Sequence, residues 1–557
     1  MKTLAENTTP ELSASHRTVW KTAALFLAIS FILNLLCNCY SPLFKLVSCM
    51  DAACFHMAGK AWAHGLVPYV DFVDVKGPLL FWLHRMGYTL APNSTLGIFC
   101  IHILATTATL CAAHLTARIF LSSRYRAAAA AILSALFLFF PGLYICGGQA
   151  EELMLPFMAW LLYSLCRFEY APEGRGYRST CMLGLCLGVG AASTFLIKYN
   201  ASPVFAAAAG LISLQMLASG AWRDWLYRLV PATTAGFVAV AAPFAAYMLA
   251  TDSLDDFINV YFLLNFGTYF SSGSGFVGGD TLTSIVYFLE NIIRANTGTW
   301  VFLSCLFFFL PPFSNGQRIG KVPVTSAVLF LSTFSAYMCC SSGFSHYMLF
   351  CAPLCLIPCI WVLAHINLRV RPWHVLVLAV LACYTTVRFN ANWSTNARMR
   401  VTQKLSADEK RVEDYINRVP QAKLLYLGCL DYGFGVKGGA LPAAPEWFTL
   451  NGSNKEFRAR QLAAIHAGKP DFVISVDFRW GTKPAHTAEN SSLYSFNFHQ
   501  FLQESGYSRL SSFNEGRQRN GPSQVSLYCR NNLSAALQDE SGQESVNAGN
   551  AGARPSE

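Results

Sequence analysis

The chain has 557 residues, of which 54% are hydrophobic and only 13% charged, with a formal net charge of +10. A soluble globular protein carries roughly 25% charged residues, so this composition excludes an ordinary soluble enzyme and puts most of the chain in lipid. In that setting the positive excess marks loops held against an anionic leaflet, with no nucleic acid as partner.

Residues 1–20 are polar and show no small-residue cleavage site, so an uncleaved first span behind a cytoplasmic N-terminus is expected. Apolar runs follow near 21–41, 96–121, 127–145, 153–168, 181–197, 202–219, 229–250, 299–313, 324–342, 348–365 and 373–388. They make about eleven spans, each close to the roughly 20 residues that cross a bilayer. Between them, Arg17, Lys21, Arg124, Arg126, Arg167, Arg175, Arg178, Arg223, Arg228, Arg318, Lys321, Arg369 and Arg371 all fall on one side. By the positive-inside rule that side is cytoplasmic, and an odd number of spans leaves the C-terminus outside. The expectation is a multi-pass protein of the cell (inner) membrane. Its transmembrane domain covers 21–388, with a loop at 42–95, the 251–298 loop and Glu151, Glu152, Lys198 and His346 on the external side. Lys45, Lys60, Lys76 and Arg85 lie on the disfavoured side, which points to a need for cations there.

From about 389 polar helical patterns alternate with short β-rich runs. Helices are expected near 407–418, 455–467 and 496–505, and strands at LLYLG (424–428), DFVISV (471–476) and VSLYC (525–529). That alternation makes 389–532 a small external (periplasmic or extracellular) α/β domain; 533–557 reads as a disordered tail. The fold class is thus an α-helical polytopic membrane protein with a small C-terminal α/β domain. Most of the 19 cysteines, Cys37, Cys111, Cys186, Cys305 and Cys355 among them, sit in apolar runs as small hydrophobes. Only Cys429 and Cys529 fall in the polar domain, where an oxidising compartment would let them pair.

The ionisable residues concentrate between the first two spans. Asp51 opens that stretch; Gly65, Pro68, Tyr69, Asp71 and Asp74 follow, then the Lys76-Gly77-Pro78 turn. The run LLFWLHR after it, with Trp82, His84 and Arg85, suits a short helix lying in the membrane interface. Asp51 is either a solvated loop charge or a carboxylate within reach of a substrate. Glu151 and Glu152 at a helix start either favour the helix dipole or face a cavity, since a lipid-facing carboxylate is costly. Lys198, between two apolar runs, either snorkels or aims at a phosphate. His346 and Tyr347 open a late span, the histidine placed to hydrogen-bond a phosphate or headgroup and the tyrosine as an interfacial aromatic. The glycine-rich SSGSGFVGGD and the residues Asp255, Asp256, Tyr261, Asn265 and Tyr269 read as an acceptor-side loop. There is no Walker A sequence, no GxGxxG between a strand and a helix, no GxSxG and no HExxH, which argues against a nucleotide-dependent enzyme or pump.

The pattern G-x-x-PY-x-D-x-x-D-x-KGP from Gly65 to Pro78, behind Asp51, resembles that of the polytopic glycosyltransferases of the GT-C superfamily. So does the order of the later residues Glu152, Lys198 and the His346–Tyr347 pair. The nearest types are protein O-mannosyltransferases and bacterial aminoarabinose transferases. Two departures stand out: Ala52 follows Asp51 where an acidic pair is common, and KGP replaces KP or PP. The resemblance implies a GT-C-like fold and a hexosyl or pentosyl transferase. It would move a sugar, with inversion, from a polyprenyl-phosphate-linked donor to an envelope acceptor (lipid, glycan or protein). Asp51 would be the catalytic base. Lys76, Arg85, Lys198 and His346 would face the phosphate, and Asp71, Asp74, Glu151, Glu152 and Tyr347 would bind substrate. No cofactor is implied, and a divalent metal stays open. A transporter or flippase of lipid-linked glycans is the competing class, although such proteins usually carry paired repeats, and none is present here.

Overall fold

The computed structural model describes residues 16–269 apart from 48, 141–142, 146 and 172–175, then 304, 307 and 345–393 apart from 367–368. Beyond these it describes 407–449, 455–477, 498–515, 523–534 and 537. Most of the expected spans at 299–313 and 324–342, the SSGSGFVGGD stretch and the tail from 538 lie outside the described residues.

The apolar runs form helices close to where hydropathy puts them: α1 (His16–Cys37), α4 (Leu96–Phe120), α5 (Arg124–Leu138), α6 (Ala150–Tyr170), α7 (Tyr177–Ile197) and α8 (Ser202–Ala218). A helix with an internal π turn, α9 (Trp222–Ala250), follows. Later come a 3-10 stretch (Ser345–Cys355) that leads into α11 (Leu356–His365), and then α12 (Pro372–Trp393). Among the described residues, 5 helices are long and apolar enough to cross a membrane by length and composition. Helices α7 and α9 approach through small residues. A Cβ added at Gly188 would lie 2.0 Å from the Thr233 carbonyl oxygen, and one at Gly236 would lie 2.9 Å from that of Leu185. Close backbone contact of this kind is how helices associate where lipid removes the hydrophobic drive.

Between α1 and α4 the chain is mostly helical. Residues expected as an extended loop from Asp51 instead form α2 (Met50–Ala63), buried from Ala52 to Trp62. The Lys76-Gly77-Pro78 turn then starts α3 (Pro78–Leu90), with the proline in the first turn, where its missing N–H costs nothing. Trp82, Met86 and Leu90 of α3 are exposed at i, i+4 and i+8, one apolar stripe suited to an interface. The start of the expected 251–298 loop is also helical: α10 (Leu254–Phe257) continues as a π-helix over Ile258–Tyr269.

The C-terminal domain contains α13 (Ala407–Arg418), β1 (Lys423–Leu427), β2 (Leu441–Pro442), α14 (Lys455–His466), β3 (Phe472–Asp477), α15 (Phe498–Glu504), β4 (Tyr507–Glu515) and β5 (Ser523–Arg530). The sheet order is β2-β1-β3-β5-β4. Strand β1 lies parallel to β2 and β3, and β5 is antiparallel to β3 and β4. Alternation along the strands divides the two faces. Leu425, Leu427 and Val473 pack with Ile465 of α14 and Leu502 of α15. Leu424, Tyr426, Phe472 and Ile474 join the main core, which runs on into the 42–77 segment. The domain therefore sits directly on the segment that carries the acidic residues.

Candidate functional site

The site lies where the C-terminal ends of α1 and α7 meet the N-terminal ends of α4, α6 and the 345–355 stretch, beneath α2. Its opposite pole is set by helix length: α4 has 25 residues, about 37 Å at 1.5 Å each. At that far pole Arg167 of α6 donates to Ser179 of α7 (3.2 Å).

Gly77 explains how the turn reaches the bundle. Its N–H donates to the Ile197 carbonyl (3.0 Å), and a Cβ there would meet the Leu196 carbonyl oxygen at 2.1 Å. Only glycine lets the backbone approach so closely, and the contact brings Lys76 and Lys198 to one mouth. Lys198, 9% exposed, donates to Glu151 Oε1 at 2.5 Å and stands 3.2 Å from the centre of the Tyr347 ring. Asp51, half-buried in the first turn of α2, lies in the field of Lys76, His346 and Lys198. Burial raises its carboxyl above the ordinary range, and Lys76 is the largest influence pulling it back. Asp74 behaves alike: burial raises it, Lys76 lowers it, and the backbone N–H groups of Lys76 and Val75 donate to it.

Asp51, Asp74, Lys76, Glu151, Lys198, His346 and Tyr347 thus form one group. The other expected residues are engaged elsewhere. Glu152 accepts from Asn38 (3.1 Å) and His102 (3.0 Å) through Oε2, and from the Gln149 backbone (2.9 Å) through Oε1. It caps α6 and ties it to α1 and α4. Asp71 accepts from the Val67 N–H (2.7 Å) and closes its own turn. Arg85 stacks over Trp62, 5.3 Å from the ring centre. Cys429 and Cys529 are both buried thiols. Asn38, His102 and Gln149 were not singled out in the sequence; uncharged or isolated, they carry no signal until the helices meet.

Lys60 of α2 is 0% exposed. It donates to the Gly435 and Gly438 carbonyls at 2.8 and 2.7 Å, and burial lowers it to about 8. With the Val73 N–H donating to the Pro445 carbonyl (2.9 Å) and Phe72 packed on Trp447 (6.2 Å), it fastens the segment to the domain. Among the described residues no three His, Cys, Asp or Glu side chains converge as a metal site.

Residues 75–249 match the family described as dolichyl-phosphate-mannose-protein mannosyltransferase. No curated protein sequence matches the chain. Among solved structures, ArnT from Cupriavidus metallidurans bound to undecaprenyl phosphate aligns over 92% of this chain and 98% of that one, at 13% identity and a TM-score of 0.52. Its apo state aligns over the same shares at 13% identity, with a TM-score of 0.50. The match spans the helical bundle and the appended sheet domain together. The chain therefore shares the fold of the ArnT structures, a helical membrane bundle with an appended sheet domain, as the resemblance carried by the motif from Gly65 to Pro78 implied.

Proposed function

We propose that the chain is a membrane glycosyltransferase that moves a sugar from a polyprenyl-phosphate-linked donor to a cell-envelope acceptor (lipid, glycan or protein), with inversion, on the external face. The observation that carries this reading is Asp51 held beside Lys76, Lys198 and His346 at one mouth of the bundle. In the transfer, the acceptor oxygen bonds to the anomeric carbon as the carbon–oxygen bond to the phosphate breaks. The phosphate leaves with the electron pair, and the acceptor proton passes to Asp51. A carboxyl raised by burial is a stronger base than a free one. The fixed cations Lys76 and Lys198 meet the charge that develops on the leaving phosphate, and the ion pair with Glu151 keeps Lys198 aimed. Asp74, through the two N–H groups beside Lys76, holds that lysine's backbone. Undecaprenyl phosphate in the solved ArnT structure supports a lipid-phosphate donor here.

The test is mass spectrometry of envelope glycolipids and glycoproteins from cells with and without the protein. Loss of one sugar from one acceptor is expected. The same loss with lipid-linked sugar stranded on the cytoplasmic side would instead identify a flippase, and an unchanged profile would overturn the reading.

A further inference from the structure

Lys198 interrupts a helix that would otherwise run on. Helix α7 ends at Ile197 and a 3-10 turn begins at Tyr199. Lys198, between them, is extended, with φ −159° and ψ 107°. Its N–H still closes the last regular rung, to the Thr194 carbonyl at 2.8 Å. The next rung would join the Tyr199 N–H to the Phe195 carbonyl, four residues back. That rung is open, and one side chain takes both of its groups. The Tyr261 hydroxyl donates to the Phe195 carbonyl, and its oxygen accepts from the Tyr199 N–H. A side chain inserted into the helical ladder breaks the helix at that point, and here it leaves neither backbone group without a partner.

Tyr261 comes from the π-helix that follows α10, and its ring is held on several sides. It is 0% exposed. It stacks on Phe257 at 5.2 Å and meets the Phe195 and Tyr199 rings edge-on at 6.1 and 5.6 Å. The hydroxyl is therefore delivered to one place. The same break frees the Ile197 carbonyl, which accepts the Gly77 N–H (3.0 Å). Two external segments thus hold the backbone on either side of Lys198, and Lys76 acts on the Tyr261 oxygen through its charge.

We propose that Tyr261 is a positioning residue of the transfer site: its hydroxyl, inserted between Phe195 and Tyr199, opens α7 at Lys198 and aims that lysine at the donor phosphate. Without the hydroxyl the two backbone groups can pair with each other and Lys198 can take helical dihedrals. Each helical residue turns the chain by about 100°, so the ammonium would leave the place where Glu151 and Tyr347 now hold it. The inference rests on the transferase reading above, in which Lys198 meets the phosphate.

The experiment measures undecaprenyl phosphate binding and the thermal midpoint of the purified full chain in detergent. Four forms are compared: wild type, Tyr261→Phe, Lys198→Ala and the double variant. Tyr261→Phe keeps the ring and should keep the midpoint, while binding weakens about tenfold. Lys198→Ala should weaken binding by a similar factor, and the double variant no further, because the tyrosine acts through the lysine. Wild-type binding in Tyr261→Phe, or a double variant whose loss is the product of the two single losses, would overturn the positioning role. So would a lowered midpoint in Tyr261→Phe, which would mark the hydroxyl as general structural support. Wild-type binding in Lys198→Ala would instead overturn the phosphate role that the transferase reading gives Lys198, and the proposal with it.

Discussion

About 100° of helix rotation separates Glu151 from Glu152, and their surroundings differ accordingly. Glu151 turns to Lys198, and Glu152 to Asn38, His102 and the Gln149 backbone. Glu152→Ala would leave buried donors without an acceptor, at about 1–3 kcal/mol. Its thermal midpoint in detergent should fall clearly, whereas Glu151→Gln should keep the midpoint and lose transfer activity. Equal midpoints for the two variants would contradict that division. For Asp51, burial raises the carboxyl above the 3.8 of a free aspartate, with Lys76 the chief counterweight. Transfer should therefore fall as pH drops through that raised value. In Lys76→Ala the counterweight is gone, so the acid limb of the residual pH–rate profile should move to higher pH; an unmoved limb would mean that another group is the base. Gly77→Ala puts a Cβ 2.1 Å from the Leu196 carbonyl, and backbone must shift to admit it. Undecaprenyl phosphate binding should weaken at least tenfold as Lys76 and Lys198 part. This clash gives the KGP spelling a physical reason.

Helix α2 couples the site to the sheet domain and was illegible in the sequence. Its segment, MDAACFHMAGKAWA, is covered on all sides, by α3 and by the sheet domain, so no apolar stripe distinguishes an inner face. Strand β4 was missed for the opposite reason. As an edge strand with the sequence YSRLSSFNE, it carries too few apolar residues to show a period of two. The junction around Lys60 is also where docking becomes pH-dependent. Burial raises Asp431 to about 6 and Glu413 to about 7, and lowers Lys60 to about 8. The raised acids hold protons better when docked, so their contribution is full near pH 4 and is lost as pH rises to about 7. The depressed lysine holds its proton less well when docked, so docking strengthens again as pH rises from about 8 towards 10.5. Domain unfolding, followed calorimetrically, should thus have its lowest midpoint near pH 7–8. Lys60→Met should abolish the alkaline rise; its persistence would sink this account.

Across the whole molecule, hydropathy made the described spans legible because a bilayer imposes length and apolarity on each helix by itself. The C-terminal helices and three of the strands were legible from their own periodicity. Contacts between distant segments were not. Val73 on Pro445, Phe72 on Trp447 and Lys60 on Gly435 join residues more than 350 positions apart. They make the sheet domain the cover of the acidic segment, where the sequence suggested a loop returning to the membrane surface. Ending the chain at residue 405 should therefore leave the spans inserted but expose 42–77 to protease and abolish transfer. The central claim is that Asp51 is the base of an inverting transfer from a lipid phosphate. Its most direct measurement uses purified wild type and Asp51→Asn in liposomes with a polyprenyl-phosphate sugar of known anomeric configuration. The wild type should give product of inverted configuration, and the variant none while binding undecaprenyl phosphate as tightly; a fully active variant, or product of retained configuration, would contradict the account.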